Sequence, residues 1–265
     1  MAEKPPAALY KYRPMLSEAD LKYTREIIVD HKLYFPSPLQ FNDPFDAVPS
    51  IEIASMPRAE RRRRLKEMVG RNKDQLNGIP RDVTERMLRT TPVKQLEANG
   101  RAALREMLGE IGLCSMSARD DHVLMWAHYA SSHSGICIGF RPLPFDVKSA
   151  VCRAYPVTYS EVRPKHNPLE LMSPGGAFGL MLHKADFWKY EEEWRLVRLD
   201  PASGPGHESF DRRRLFSITF GVKTTPETIR LVLGWIKERG RDVELYQAVP
   251  DDNDYRIKIE PFLQS

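Results

Sequence analysis

The segment Trp188-Lys189-Tyr190-Glu191-Glu192-Glu193-Trp194-Arg195 brings three acids, two bases and three aromatic rings into eight residues. Read as leading into a strand over Glu191–Arg198, it alternates, so Glu191, Glu193 and Arg195 share one face while Glu192, Trp194 and Leu196 share the other. Two carboxylates about 7 Å apart along a strand can stabilise positive charge that develops on a sugar ring. An ionised acid bonds a ribose hydroxyl more strongly in an oxocarbenium-like transition state than in the ground state. The same spacing also makes a plain ion-pair network in which Arg195 neutralises Glu193.

Two other segments carry polar groups on stiff or aromatic backgrounds. In Ser37-Pro38-Leu39-Gln40-Phe41-Asn42-Asp43-Pro44-Phe45-Asp46, the prolines hold a rigid loop. Asn42 and Asp43 either satisfy their own backbone in a turn over Phe41 and Phe45 or contact a ligand. In Met125-Trp126-Ala127-His128-Tyr129-Ala130, followed by His133, the two histidines are five apart and do not share a helical face, so no metal pair is expected. Trp126 and His128 serve as a core anchor and its hydrogen-bonded neighbour, or else His128 or His133 lines a polar pocket and positions a phosphate or moves a proton.

The elements that must position these residues are short. Leu9–Arg13 and Leu33–Phe35 read as strands on either side of a helix capped by Ser17, with Asp20 three residues on, ending near His31. Residues 57–110 read as a charged helical insertion or lid, broken at Gly70, at Asn77–Pro80 and at Gly100 into two or three helices. Gly112–Ser117 is a strand, and Asp120 or Asp121 caps a helix with Val123, Trp126, Ala127 and Ala130 inside. In a strand Gly135–Phe140, Gly135, Cys137 and Gly139 form a small face that admits another backbone or a ligand. A strand Val157–Tyr159 and a helix Ala177–Phe187 precede the acidic segment. A strand Leu215–Val222, a helix opened by Thr225 and ended by Gly240, and strands Val243–Val249 and Tyr255–Ile259 complete the chain. The pattern predicts one α+β domain of short mixed or antiparallel strands around a central cleft, because the regular strand–helix alternation of a doubly wound fold is absent.

Composition narrows the function. A chain of 265 residues, 42% hydrophobic, can build a core without staples, and its three cysteines, Cys114, Cys137 and Cys152, read as reduced core thiols in a cytoplasmic protein. No apolar run is long enough to span a membrane, so no membrane partner is expected. The sequence has no P-loop, no H-E-x-x-H, no G-x-S-x-G and no C-x-x-C. Residues 57–73 carry eight basic side chains against two acidic, more than accounting for the net charge of +4. Four consecutive arginines, Arg61 to Arg64, point all around a helix, which suits a solvated surface or a phosphate or RNA contact.

Taken in order, these motifs resemble the bacterial family known as domain of unknown function 2971. The resemblance rests on Leu9-Tyr10-Lys11-Tyr12-Arg13, Leu33 to Asp46, Cys114-Ser115-Met116-Ser117, Met125 to Ala130 with His133 and Gly135, and Lys184 ahead of Trp188 and Tyr190 to Arg195. The chain also resembles ADP-ribosyltransferases, which are recognised by an Arg or His, a Ser or Tyr, and a Glu on three strands. That second resemblance implies an NAD-consuming transferase or hydrolase, in the class of toxin and phage-defence effectors, with NAD as co-substrate and a protein or nucleic-acid acceptor. Arg13, replaceable by Lys11 or Tyr12, would hold the cofactor's phosphates, and Ser37 or Ser115 would be the middle residue. Glu193 would bond the nicotinamide ribose, with Glu191 on the acceptor side. The remaining nucleotide contacts it implies are Tyr10, Tyr12, Asn42, Asp43, Trp126, His128, Tyr129, His133 and Arg195. Two rival readings stay open: an RNA-binding or nucleic-acid-processing protein that uses Arg61 to Arg64 with His128 and His133, and a non-enzymatic interaction module.

Overall fold

A computed structural model describes residues 6–71, 80–141, 152–169, 179–198 and 204–263. The apolar, β-branched and aromatic runs form eight strands of one sheet: β1 (Leu9–Arg13), β2 (Leu113–Ser117), β3 (Ile136–Phe140), β4 (Cys152–Pro156), β5 (Glu193–Arg198), β6 (Leu215–Phe220), β7 (Glu244–Pro250) and β8 (Ile257–Pro261). Their order is β8-β7-β6-β3-β1-β2-β5-β4, and every neighbouring pair is antiparallel except β6 with β7. That parallel pair needs a crossover, which the helix between them supplies.

Among the described residues the α-helices are α1 (Glu18–Ile28), α2 (Arg58–Arg71), α3 (Arg81–Thr90), α4 (Val93–Gly109), α5 (Val123–Tyr129) and α6 (Pro226–Arg239). α1 starts at the expected capping box of Ser17 and Asp20, and α6 runs from the Thr225 cap to a left-handed Gly240. With both helices and a mixed sheet the fold is α+β.

Strand alternation separates two faces. Leu9, Cys114, Met116, Ile136, Ile138, Trp194, Leu196, Ile218 and Phe220 form one apolar face, closed by Ile27 and Ile28 of α1 and by Val232 and Trp235 of α6. On the other face, Tyr12 and Cys137 pack under Met125 and Trp126 of α5, while Leu113 and Val197 pack under Leu104 and Leu108 of α4. Between these two apolar patches the same face carries Ser115, Ser117, Glu193 and Arg195, whose strands pair Glu193 with Ser117 and Arg195 with Ser115.

Several local expectations change. Gly100 does not break the helical segment but lies inside α4, where a Cβ would sit 2.8 Å from the ring of Pro168, so its smallness serves packing. Neither Asp120 nor Asp121 caps α5. The N-cap is His122, Asp120 gives its carbonyl to the Trp126 indole, and Asp121 pairs with Arg119. The small face of β3 admits neighbouring protein rather than a ligand, since a Cβ on Gly139 would lie 2.2 Å from Ser217 Oγ. The helix expected over Ala177–Phe187 is absent over its described residues beyond 180. His183–Ala185 is a short strand paired with Thr158–Ser160, and Asp186–Glu191 is a 3-10 helix. Consequently β5 begins at Glu193, not Glu191. Ala177, Lys73, the Cys152 side chain and residues 77–79 lie outside what the structure describes. No helix among the described residues is long and apolar enough to cross a membrane.

Candidate active site

Strands β1 and β2 part company. β1 and β2 share a single register pair, Tyr10 opposite Ser117, and Lys11 Nζ reaches across to the Ser115 carbonyl at 2.9 Å. Beside this split lies a cavity of about 230 Å³. Its walls come from Tyr10, Lys11 and Tyr12 of β1, Ser115, Met116 and Ser117 of β2, Pro36, Phe41, Asn42 and Asp46 of the proline-rich loop, Met125 and Tyr129 of α5, and Lys184, Glu191 and Glu193.

Local structure aims each group. Ser37 caps the 3-10 turn Pro38–Gln40, and Asp43 both accepts from the Phe45 amide and receives the Trp188 indole N–H at 2.8 Å. Those contacts fix the loop that carries Asn42 and Asp46 inward. Glu191 ends its 3-10 helix, and the next residue, Glu192, adopts a left-handed backbone at φ 42. That turn sends Glu192 to solvent and leaves Glu191 and Glu193 both facing inward. The Ser117 hydroxyl donates to the Glu191 carbonyl at 2.7 Å and holds the turn against β2.

The buried charges form one network. Lys184 Nζ donates to Glu191 Oε2 at 2.5 Å and Glu193 Oε2 at 2.9 Å, and lies 3.3 Å from Asp46 Oδ2. Arg195, with no exposed surface, donates to Glu193 through Nε at 2.9 Å, to Asp46 and to the Met181 carbonyl. Three carboxylates therefore share two cations. Burial works against the Glu193 carboxylate, but the charges of Arg195 and Lys184 outweigh it and hold this acid well below its usual range. Burial pushes Glu191 up, and Lys184 only partly offsets it while Glu193 adds to it. Asp46 is raised too, by burial first, against the pull of Arg195. For Lys184, burial disfavours the ammonium, yet Glu193, Asp46 and Glu191 together hold its pKa above normal. Tyr129 donates its hydroxyl to Glu191 Oε1 at 2.5 Å and is itself driven up by burial and by that charge. Glu191 and Asp46, the two acids that burial raises, both line the cavity, while Glu193 is occupied on both oxygens by protein cations.

The structure gathers seven of the sequence-derived site residues at the cavity: Tyr10, Tyr12, Asn42, Ser115, Tyr129, Glu191 and Glu193. Seven others lie elsewhere. Arg13 points to the face of β1 away from the cavity and donates through Nε to Thr24 on α1; Lys11 shares that face but reaches the cavity at the β1–β2 split and is the cation of β1 that lines it. Ser37 and Asp43 brace the loop, Trp126 is a fully buried anchor, and Arg195 stands behind Glu193. His133 sits in a left-handed turn, its amide donating to the Trp126 carbonyl. His128 is exposed among the rings of Tyr129, Trp188 and Tyr190. Asp46, Ser117 and Lys184 are site residues that the chemistry-bearing motifs did not single out. Lys184 hid in a segment whose pattern suggested a helix, and its one signal was its place ahead of Trp188 in the family pattern. On α2, Glu60 pairs with Arg63 and Arg64, so part of the arginine run is neutralised within its own helix.

Comparison with known proteins is narrow. Nothing among curated proteins or solved structures matches the chain. None of the comparisons supports a likeness to ADP-ribosyltransferases. Residues 125–196, from α5 through Lys184, Glu191, Glu193 and Arg195, match the family model described as Protein of unknown function (DUF2971).

Proposed function

We propose that the cavity receives the nicotinamide-ribosyl end of NAD as substrate and that the chain is an ADP-ribosyl transferase or hydrolase. The observation that carries this reading is the unequal buried network, three acids on two bases, with all three acids on the cavity wall. A preorganised negative charge stabilises a centre that becomes positive only during reaction. A volume of about 230 Å³ falls below the roughly 300–1,000 Å³ of drug-sized sites, so it suits one ring and its sugar rather than a whole dinucleotide.

In this reading the bond from ribose C1′ to the nicotinamide nitrogen breaks, and its electron pair leaves with neutral nicotinamide. The cationic sugar carbon is then captured by water or an acceptor hydroxyl, whose proton passes to Glu191. Lys184 and Tyr129 hold that carboxylate in place, and Glu193 anchors Lys184. The test is nicotinamide release from NAD by the purified chain, alone and with cell lysate as a source of acceptors. Release by the wild type, lost in Glu191→Gln, supports the reading, and no release by the folded wild type under either condition overturns it.

A further inference from the structure

We infer that a second cavity, on the far side of the β1–β2 split, is a nucleoside-diphosphate subsite. It measures about 210 Å³ and lies among β1, α1 and the strand Lys32–Phe35. Lys11 and Pro36 form a wall common to both cavities. Three of its lining groups, Lys11, Arg13 and Lys32, are cations, and none is within ion-pair distance of a carboxylate among the described residues. The single acid there, Glu26, is engaged by His207 Nε2 at 2.9 Å. Arg13 commits only Nε, to Thr24 Oγ1 at 3.2 Å, and its terminal nitrogens meet no protein acceptor among the described residues.

A half-buried guanidinium with no carboxylate in contact is costly, and burial presses down on the Arg13 charge, with the more distant Asp20 only partly offsetting it. Its two terminal nitrogens form the planar fork that matches a phosphate, with Lys11 and Lys32 as point charges on either side. The cavity also offers ring faces. Tyr23 and Tyr34 have centroids 5.8 Å apart, and His207 braces Tyr34 at 5.1 Å. Rings of this kind stack a nucleobase without selecting among bases. An inorganic phosphate would use the cations alone, whereas a nucleoside diphosphate uses both features. The inference rests on the proposed function in one respect: a dinucleotide whose ribosyl end fills the first cavity would lay its diphosphate over Lys11 and its second nucleoside in this one.

The experiment is calorimetric titration of the full chain with ADP, pyrophosphate and adenosine separately, on the wild type and on Arg13→Gln, Lys32→Gln and Tyr34→Leu. Lys32 is exposed, so its variant separates charge from folding. ADP should bind the wild type, and each charge variant should weaken ADP and pyrophosphate about tenfold, as for one lost charge-assisted contact. Tyr34→Leu should weaken ADP and adenosine but not pyrophosphate. ADP affinity unchanged in folded Lys32→Gln and Arg13→Gln overturns the subsite. Pyrophosphate binding as tightly as ADP, with Tyr34→Leu silent, overturns the nucleoside assignment. Arg13-dependent ADP binding without NAD turnover would sink the proposed function and sustain this inference, and NAD turnover with Arg13-independent ADP binding would do the reverse.

Discussion

The Lys184 ammonium lies 2.5 Å from Glu191 and 2.9 Å from Glu193, so one buried cation sets the spacing of both acids. Without it, Arg195 alone would face three carboxylates. Removing one partner of a buried ion pair costs about 3–5 kcal/mol, and Lys184→Met should be destabilised by that much in urea unfolding at pH 7. The deficit should shrink on acidification, because the stranded carboxylates can then take up protons in the folded state. An equal deficit at pH 5 and pH 7 would show that packing of the lysine stem, not its charge, is what the fold uses.

The two glutamates should part company when each is changed to glutamine. Glu193 is held below its ordinary range, so it adds stability above its unfolded value and loses it as pH falls. Glu193→Gln leaves Arg195, which has no exposed surface, with Asp46 as its one remaining carboxylate partner, and should cost about 3 kcal/mol or more at pH 7. Glu191 is raised, so its ionisation weakens the fold as pH climbs from the ordinary carboxylate value through the raised one. Glu191→Gln leaves Lys184 paired with Asp46 and Glu193 and should change stability by less than about 1 kcal/mol while abolishing nicotinamide release. Denaturation curves and turnover on the same preparations check both. Equal stability losses would remove the division of labour between anchor and reacting acid.

The pH profile offers a finer readout. A base that must be ionised gives a rate that rises with pH through its pKa, and burial places the acid limb of Glu191 above that of an ordinary glutamate. The Tyr129 hydroxyl opposes this by donating to the ionised form. Tyr129→Phe should therefore move the acid limb of kcat/KM further toward neutral pH, with a smaller loss of the plateau rate. A limb that stays in place, or moves to lower pH, would show that another group governs the profile.

How much of this the sequence discloses depends on the range of the interaction. The Ser17 and Thr225 caps, the Leu9–Arg13 strand and the Gly240 stop are local, and local chemistry predicts them. The convergence of Glu191 and Glu193 is also readable, although for a different reason from strand alternation: the left-handed Glu192 supplies the turn. Asp46 is invisible in this way, because its partner Arg195 is 149 residues away and no spacing rule links them. Lys184 is similar. Its segment has a helical pattern, but pairing with Thr158–Ser160 holds it as a strand, a tertiary effect that overrides local preference. Arg13 and Lys11 lie two apart and share one face of β1, so alternation does not separate them; Lys11 reaches the first cavity because β1 parts from β2 beside it, a tertiary feature with no local signal.

The pairing of β1 with β3 depends on close backbone contact at Gly135. A Cβ there would lie 2.2 Å from the Arg13 carbonyl and 3.1 Å from the backbone of Ala130, so no rotamer change can relieve it. Gly135 also donates its amide to Ala130 and accepts from Gly221, which binds the α5 turn to β6. Gly135→Ala must push β1 away from its neighbours, and overpacking of this kind costs about 1–3 kcal/mol. Gly234, inside α6, is the control, since a Cβ there meets nothing within 4 Å. Gly234→Ala should raise stability by up to about 1 kcal/mol through helix propensity alone. Because Arg13 and Lys11 lie on the displaced strand, Gly135→Ala should also weaken ADP binding, whereas Gly234→Ala should leave it unchanged. Urea unfolding with ADP titration on both variants decides the matter, and a Gly135→Ala protein as stable as the wild type would mean that β1 has slack the packing does not reveal.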